Sequence, residues 1–231
     1  MNKNFKGKTK IVSPESKDRL KLEFRDTILG QDGLPDSGGN EVIGFREGKG
    51  LNAMFLSEYF FRLLQSRGIN THYISSYPST KSIMVKKTRV FGKGLEFICR
   101  RRAYGSFLRR YEDYVRKFQK LNYLVEITIK DDEKKDPLIN NDTLVRLGII
   151  SKGDLKKSKK LTKKVASIIN FDLKEKGLEL IDIKVEFGRI GRKLAVIDTI
   201  NRDNMRVWNP EEKIFPSHKE LCEILMPGRK I

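Results

Sequence analysis

The sequence feature that most constrains the fold is the stretch of residues 181–208, IDIKVEFGRIGRKLAVIDTINRDNMRVW. Its first half alternates apolar and polar residues, the period-two pattern of a strand that buries one face. After the turn signal Gly191-Arg192, a second apolar run covers residues 194–197 and ends on Asp198. A chain with this stretch is expected to form a β-hairpin with one buried face.

Two acidic residues come close together if this hairpin turns just after its central glycine. Cross-strand partners in a hairpin sum to a constant, so Glu186 and Asp198 become near neighbours. Two close carboxylates repel each other, and a pair kept together implies a cation or a shared proton between them. The alternative is a pair of solvated surface acids that Lys184, Arg189 and Arg192 neutralise. The spacing alone leaves both interpretations open.

The charge balance predicts an anionic partner. Lys and Arg number 48 against 30 Asp and Glu, which gives a net charge of +18, and such a surplus creates a positive field. Nucleic acids, nucleotides, phosphosugars and acidic metabolites all satisfy that field, so charge does not choose among them. Cys99 and Cys222 are too few for a disulfide framework or a zinc site, which favours a reducing cytoplasm. No apolar run reaches the roughly 20 residues of a membrane span, so none is expected.

The first part of the chain predicts strands, a long loop and a helix. Lys8 and Lys10 have the spacing that puts two ammonium groups on one face of a strand, where they hold an anion or form a solvated basic edge. Residues 30–50 contain seven glycines and one proline, so a long loop is expected there, with a lid as one interpretation. Helices are expected at residues 51–67 and 151–177, and strands at residues 20–25, 71–74, 82–90, 95–102 and 125–129.

A basic turn follows the strand predicted at residues 95–102. The segment RRRAYGS covers residues 100–106, and alternate arginines of an extended chain share a face. Arg100 beside a Gly-Ser turn suits binding of a phosphate or carboxylate, since glycine lets backbone N–H groups approach and Ser106 adds a hydroxyl. The alternative is a solvated basic strand end. The aromatic and basic residues that follow keep nucleic-acid binding open.

Taken in order, these segments resemble the SAICAR synthetase family, the phosphoribosylaminoimidazole-succinocarboxamide synthases of purine biosynthesis. The matching segments are GKTK, FREGKG before the first long helix, RRRAYGS, KDD followed by DP, LELIDIKVEFG leading to Asp198, and MRVW. Each segment is weak evidence alone. Their colinearity over residues 5–208 makes the resemblance strong.

The resemblance implies an α+β fold related to ATP-grasp proteins. A small antiparallel sheet domain over ATP is expected in residues 1–92, and a larger α+β domain in residues 93–231. The implied activity is a ligase that uses ATP and Mg²⁺ to join L-aspartate to carboxyaminoimidazole ribonucleotide through an acyl phosphate. These substrates are anions, so binding of small molecules accounts for the excess of Lys and Arg, and nucleic acid is an unlikely partner. The expected enzyme is cytoplasmic, with a homodimer as its default assembly.

The resemblance also assigns residues to the site. Lys184 and Asp198 take the catalytic roles, Lys184 by reaching the transferred phosphoryl group or its metal. Glu186 and Asp198 hold Mg²⁺, which prefers few carboxylates and retained waters. Lys8 and Lys10 contact the phosphates of ATP. The remaining assignments are Lys130 to the nucleotide pocket, and Arg100, Ser106, Asp203 and Arg206 to the imidazole nucleotide.

The chain departs from the family pattern at several places, among them Arg101 in place of the usual Asn and a longer segment at residues 31–46. Residues 199–202 replace the Glu, Ser and Pro that usually follow the metal strand, Tyr104 replaces an Ala, and the tail after Trp208 lacks the usual Lys-Asp-x-x-Arg pattern. The metal and phosphate residues remain, so an active synthetase is expected. Two alternatives stay open: a basic nucleic-acid-binding protein with weakened catalysis on the same fold, and a related ATP-dependent amide ligase with another substrate.

Overall fold

The computed structural model describes residues 4–31, 33–37, 39, 41–131 and 133–229. Asp132, part of the KDD segment, lies outside the described residues. The strands are β1 (Phe5–Lys6), β2 (Lys10–Pro14), β3 (Arg19–Phe24), β4 (Thr27–Gln31), β5 (Leu34–Pro35), β6 (Glu41–Phe45), β7 (Tyr73–Tyr77), β8 (Ser82–Lys86), β9 (Arg89–Val90), β10 (Leu95–Arg102), β11 (Lys120–Ile129), β12 (Glu179–Ile190), β13 (Lys193–Ile197) and β14 (Met205–Trp208). The helices are α1 (Lys49–Ser66), α2 (Gly105–Arg110), α3 (Asn141–Arg146), α4 (Lys152–Lys174) and α5 (His218–Leu225). None of these described helices is long and apolar enough to cross a membrane.

The N-terminal part is an antiparallel sheet with one helix packed against it. Its strand order is β1-β2-β3-β8-β7, and α1 contacts three of these strands. Leu22 and Phe24 are buried on β3, as the predicted alternation requires. The single strand predicted at residues 82–90 is two strands, because the chain leaves this sheet after Lys86 and β9 joins a different one.

The prediction of a loop at residues 30–50 is wrong for most of that range. Strands β4, β5 and β6 form a small antiparallel sheet in the order β5-β4-β6, and α1 begins at Lys49. Gly30 explains why glycine composition misled the prediction. A Cβ on Gly30 would lie 2.5 Å from the carbonyl oxygen of Leu34, so this glycine permits close strand approach rather than flexibility.

The main sheet carries the hairpin that dominated the sequence. Its strand order is β11-β10-β12-β13, with β14 and β9 also paired to β12. Helix α4 packs on one face, and the odd-numbered residues of β12 from Ile181 to Phe187 are buried. The hairpin turns at residues 191–192, and Glu186 pairs with Ile197. Asp198 therefore lies one position beyond the predicted register, immediately after β13.

The two large sheets share one hydrophobic core. Thr71 forms a bridge with Val196 of β13, β9 pairs with β12, and α1 packs against α4 and α5. Phe91 and Leu95 are buried in the common core on either side of residue 92. The division into domains 1–92 and 93–231 stays a prediction.

Candidate active site

Charged side chains line the face of the main sheet that α4 leaves uncovered. The even-numbered residues Asp182, Lys184 and Glu186 alternate with the buried apolar residues of β12, so they share this face. On the neighbouring strand β10, Glu96 lies opposite Glu186 and Arg100 lies opposite Asp182. Of these five charged residues, all but Lys184 are at most 7% exposed to solvent. Buried charges need partners, and the partners of this set define the site.

Three lysines neutralise the carboxylates near the end of the hairpin. Lys130 Nζ lies 2.7 Å from Glu186 Oε1, and Lys10 forms an ion pair with Asp198. Lys184 Nζ lies 2.7 Å from Glu96 Oε1. The structure thus brings together the predicted residues Lys10, Lys130, Lys184, Glu186 and Asp198, which come from β2, β12 and the segments after β11 and β13. We call these five residues the lysine–carboxylate cluster.

Burial and mutual attraction shift the pKa values inside this cluster in opposite directions. Burial alone would raise the pKa of Asp198, but Lys10 and Lys130 outweigh it and hold that carboxyl well below its usual range. Burial and the charge of Asp198 raise the pKa of Glu186, against the attraction of Lys130. Burial would lower the pKa of Lys130, but the two carboxylates raise it. Glu186 and Asp198 are therefore close enough to repel, as the hairpin predicted.

His72 fixes the backbone at Asp198. Asp198 has a φ of 67°, in the left-handed region of backbone conformation that residues other than glycine rarely adopt. Its carbonyl oxygen lies 2.9 Å from His72 Nε2, so this nitrogen carries the proton and donates it. Burial lowers the pKa of His72 to about 4, which keeps the ring neutral near pH 7. Sequence reasoning missed His72, because no local pattern links it to a residue 126 positions away.

A second cluster places two arginines around Asp182. Asp182 accepts hydrogen bonds from Arg100 Nη1 at 3.2 Å and Arg206 Nη1 at 2.8 Å. Arg100 Nη2 also donates to Ser106 Oγ at 3.2 Å, and Arg206 Nη2 donates to Asp36 Oδ1 at 2.5 Å. Guanidinium groups held this way present their remaining N–H donors in fixed directions. This arrangement is suited to gripping a phosphate.

The Gly-Ser turn is required by the second cluster. Gly105 has a φ of 55°, and a Cβ added to it would lie 2.7 Å from Arg206 Nη2. Any other residue would therefore push Arg206 away from its position beside Asp182. The turn places Ser106 in the first turn of α2, within reach of Arg100.

A cavity of about 390 Å³ opens over the arginine cluster around Asp182 and over Lys184 of the lysine–carboxylate cluster. We call it the substrate cavity. Its walls come from β10, β12, α2, strands β4 and β6 of the small sheet, and the segment after β5, which contributes Asp36 and Ser37. Four predicted site residues line it: Arg100, Ser106, Lys184 and Arg206. Further cations line it as well, namely Arg109, Arg110 and Lys135.

Two predicted residues lie elsewhere. Asp203 lines a neighbouring cavity, where its Oδ2 lies 2.5 Å from Lys49 Nζ and its Oδ1 lies 3.5 Å from His218 Nε2. Lys8 follows β1, and its carbonyl oxygen accepts hydrogen bonds from Arg25 and Thr27. Neither geometry tests the assigned role of the residue, so both assignments stay predictions.

Glu186 and Asp198 offer oxygen ligands to a magnesium ion. Within the described ranges, no three or more His, Cys, Asp or Glu side chains gather as a metal cage. Mg²⁺ does not need such a cage, because it is usually held by one or two carboxylates together with phosphates and water. The repulsion between Glu186 and Asp198 is a force that a bound cation relieves. The residues present therefore fit Mg²⁺ in the presence of a nucleotide.

Several residues of the site were not predicted, and some of them carried a signal. Asp182 shares the face of Lys184 and Glu186 by simple alternation, and Glu96 shares the face of Arg100 on β10 in the same way. Asp36 carried no local signal, since it lies in the segment expected to be a loop and meets Arg206 across 170 positions.

Comparison with known proteins gives one consistent family. A family model described as SAICAR synthetase matches residues 3–221. The phosphoribosylaminoimidazole-succinocarboxamide synthase of Clostridium tetani is 44% identical over 218 residues, which cover 94% of this chain and 96% of that protein. The Aquifex aeolicus protein with the same name is 35% identical, covering 90% and 93%.

Solved structures agree with the sequence matches. A structure described as SAICAR synthetase (Type-2) in complex with ADP has a TM-score of 0.88 and 28% identity, covering 99% of this chain and 100% of that one. The Type-1 crystal structure of SAICAR synthetase from Pyrococcus horikoshii has a TM-score of 0.84 and 28% identity, covering 96% and 99%. The predicted α+β fold is confirmed, whereas its relation to ATP-grasp proteins stays a prediction. The chain belongs to the SAICAR synthetase family, a family of ATP-dependent ligases of purine biosynthesis.

Proposed function

We propose that this chain joins L-aspartate to the carboxylate of carboxyaminoimidazole ribonucleotide, with ATP and Mg²⁺, and releases SAICAR, ADP and phosphate. The observation that carries the proposal is one cavity lined by an arginine pair at Asp182 and by Lys184, on the same strand face as Glu186 of the lysine–carboxylate cluster. Three anionic reactants require this kind of positioned positive charge.

The reaction proceeds in two substitutions. A carboxylate oxygen of the nucleotide substrate bonds to the γ-phosphorus of ATP, the bond from that phosphorus to the bridging oxygen breaks, and ADP leaves. The amine nitrogen of L-aspartate then bonds to the acyl carbon, the carbon–oxygen bond to the phosphoryl group breaks, and inorganic phosphate leaves while the amine loses a proton. Both substitutions depend mainly on positioning and charge neutralisation, so the site needs no covalent nucleophile.

The arginine pair is assigned to the phosphate of the imidazole nucleotide. Arg100 and Arg206 are fixed by Asp182, and Ser106 adds a hydroxyl donor beside them. Asp36 holds one N–H group of Arg206, so the substrate phosphate replaces a carboxylate that already occupies an anion position. This exchange keeps Arg206 paired before and after binding.

The lysine–carboxylate cluster is assigned to ATP and its metal. Lys10 contacts the phosphates of ATP, Lys130 lines the nucleotide pocket, and Glu186 and Asp198 would hold Mg²⁺, which would neutralise phosphate charge. Lys184 stays protonated, because Glu96 and other acids raise its pKa against the effect of burial. Its ammonium lines the substrate cavity, where it stabilises charge that develops on the transferred phosphoryl group. Lys8 and Asp203 complete the proposed ATP and substrate contacts.

Domain organisation, assembly and location complete the proposal. Residues 1–92 cover the nucleotide, and residues 93–231 carry the metal and substrate groups. The enzyme works in the cytoplasm, an assignment supported by two buried free thiols, Cys99 and Cys222. A homodimer is the expected assembly, and light scattering on purified protein measures it.

The test is an omission experiment. Purified protein is incubated with ATP, Mg²⁺, carboxyaminoimidazole ribonucleotide and L-aspartate, and ADP and the succinocarboxamide are quantified together. We expect both products in equal amounts, with loss of the succinocarboxamide when any one component is left out. ATP consumption only with a different amine would replace L-aspartate as the substrate. No turnover, together with tight RNA or DNA binding that weakens steeply with salt, would support the nucleic-acid alternative.

A further inference from the structure

A groove runs between α3 and α4, on the side of α4 that faces solvent. Its volume is about 740 Å³, and we call it the α3–α4 groove. Lys159 Nζ donates a hydrogen bond to Asn141 Oδ1 at 3.4 Å, which joins the start of α3 to α4. The opposite side of α4 packs on the main sheet, and the substrate cavity opens on the other face of that sheet. The groove and the substrate cavity are therefore separate sites.

The lining of the α3–α4 groove is strongly basic. It contains one acid, Asp142, and six cations, namely Arg146, Lys152, Lys156, Lys159, Lys160 and Lys163. None of these six cations forms an ion pair with an acid in the described part of the chain. By contrast, Lys176, just after the same helix, pairs with Asp172 at 3.1 Å. The groove thus collects positive charge that the protein itself leaves uncompensated.

The lysines of the groove repel one another along α4. Lys156 precedes Lys159 and Lys160 by three and four positions, and both of these stand in the same relation to Lys163. Residues with this spacing are neighbours on a helix surface, where like charges destabilise the helix. A helix face that only meets solvent commonly alternates both signs of charge. A stripe of one sign therefore indicates an anionic partner, whose charge would relieve the repulsion.

The floor of the α3–α4 groove is apolar. Leu155 of α4 is 6% exposed, and Val145 of α3 is half-buried beside the groove. The long stems of the lysines add methylene groups around this floor, while their ammonium groups stay in water. An apolar floor between two helices with charged rims is the kind of surface that binds an amphipathic helix by its apolar face.

An acidic protein segment fits this groove better than nucleic acid does. Surfaces that bind single-stranded nucleic acid combine cations with aromatic rings on which bases stack, and the described lining of the groove contains no aromatic residue. Duplexes are held mainly through their phosphates, which have no use for an apolar floor. An acidic amphipathic helix uses both features, because its apolar residues and its carboxylates lie on adjoining faces.

We propose that the α3–α4 groove docks an acidic amphipathic helix of a partner protein. The apolar residues of that helix contact Val145 and Leu155, and its Asp and Glu side chains pair with Lys156, Lys160 and Lys163. Docking at this place leaves the substrate cavity open, because α4 and the cavity lie on opposite faces of the main sheet. The chain can therefore bind substrates while it is attached to another protein.

The test uses a designed peptide as the probe. The probe is about three heptads long, with leucine at the a and d positions and glutamate at most others. A control peptide has the same composition in an order that spreads the leucines around the helix. Fluorescence anisotropy measures both peptides with the full chain. We expect a Kd on the order of 10 µM for the probe, binding of the control peptide at least about tenfold weaker, and weaker binding of the probe as salt rises.

Variants of α4 locate the binding site. The double variant Lys156→Glu and Lys160→Glu reverses two charges that line the groove, and Lys157→Glu with Lys164→Glu reverses two exposed charges of the same helix outside its lining. We expect the groove variant to weaken probe binding at least about tenfold and the control variant less than about threefold. Val145→Ser should weaken it about threefold by making the floor polar.

Three outcomes would overturn the inference. Equal binding of the two peptides would show that net charge alone attracts them, without a helix seated in the groove. An equal loss in the two lysine double variants would place the binding outside the groove. Tighter binding of a single-stranded RNA or a duplex DNA than of the probe, lost in the groove variant, would assign the groove to nucleic acid. Circular dichroism verifies that every variant is folded, which is expected because the four lysines are exposed.

Discussion

Replacing Asp198 with asparagine removes one charge from the lysine–carboxylate cluster and almost preserves its shape. The Asp198 side chain is 15% exposed, pairs with Lys10, and is further attracted by Lys130 and Lys184. Removing one partner of a buried ion pair costs about 3–5 kcal/mol. Lys130 keeps Glu186 and Lys10 keeps a hydrogen bond to Thr199, so we expect a smaller loss of unfolding free energy, about 1–3 kcal/mol.

The loss of turnover should be much larger than the loss of stability. Without Asp198, Mg²⁺ keeps only one proposed carboxylate, and we expect turnover to fall on the order of 100-fold to 1,000-fold. Asp154→Asn is the control, because Asp154 lies on α4, which packs on the other face of the sheet. The change removes the ion pair between Asp154 and Arg189 of β12. That variant should lose under about 1 kcal/mol and no activity.

Three measurements decide this prediction. Turnover is measured at saturating substrates, unfolding is followed in denaturant, and Mn²⁺ binding is titrated by the relaxation of water protons. We expect the folded Asp198→Asn protein to have lost both turnover and ion binding. Full activity in this variant would remove Asp198 from the metal site. A loss of turnover with unchanged ion binding would leave Asp198 a role in charge balance alone.

Three further predictions follow from single contacts. Asp36→Asn releases Arg206 for the substrate, so the KM for the imidazole nucleotide should fall about threefold, and a rise would mean that Asp36 itself binds substrate. Lys130→Met should raise the KM for ATP about tenfold by leaving Glu186 without its ammonium, and an unchanged KM would exclude Lys130 from the nucleotide site. His72 takes up a proton near pH 6.5 when unfolded but only near pH 4 when folded, so the unfolding free energy should decrease between these values as pH falls, by up to about 3 kcal/mol. Urea unfolding at about pH 7 and about pH 4.5 measures the decrease, and His72→Gln should reduce it; an equal decrease in that variant contradicts the assignment.

Local periodicity predicted the parts of the site that lie on one strand. Alternation in β12 placed Lys184 and Glu186 on a common face, and the turn after Gly191 placed Asp198 near Glu186. The predicted register was one residue off, because Asp198 lies beyond the last ladder pair and adopts a left-handed backbone. The prediction that the two carboxylates lie close together was still correct, because Asp198 directly follows Ile197, the partner of Glu186.

Contacts across the fold were beyond the reach of sequence patterns. Asp36 meets Arg206 and Arg202 meets Ser37, and each pair is separated by more than 160 positions. No periodicity encodes such pairs, because they depend on how the small β4–β6 sheet folds over the main sheet. The glycines of residues 30–50 concealed that sheet, since Gly30 allows close strand approach and composition cannot distinguish this use from a flexible loop.

In the proposed mechanism, the substrate carboxylate becomes an acyl phosphate in the cavity that holds Lys184, Arg100 and Arg206. The most direct measurement labels the carboxylate oxygens of carboxyaminoimidazole ribonucleotide with a heavy isotope and follows the label by mass spectrometry of the released phosphate. The mechanism transfers one labelled oxygen to phosphate in each turnover, in equal amount with the succinocarboxamide. Succinocarboxamide formed together with unlabelled phosphate would contradict the acyl-phosphate mechanism.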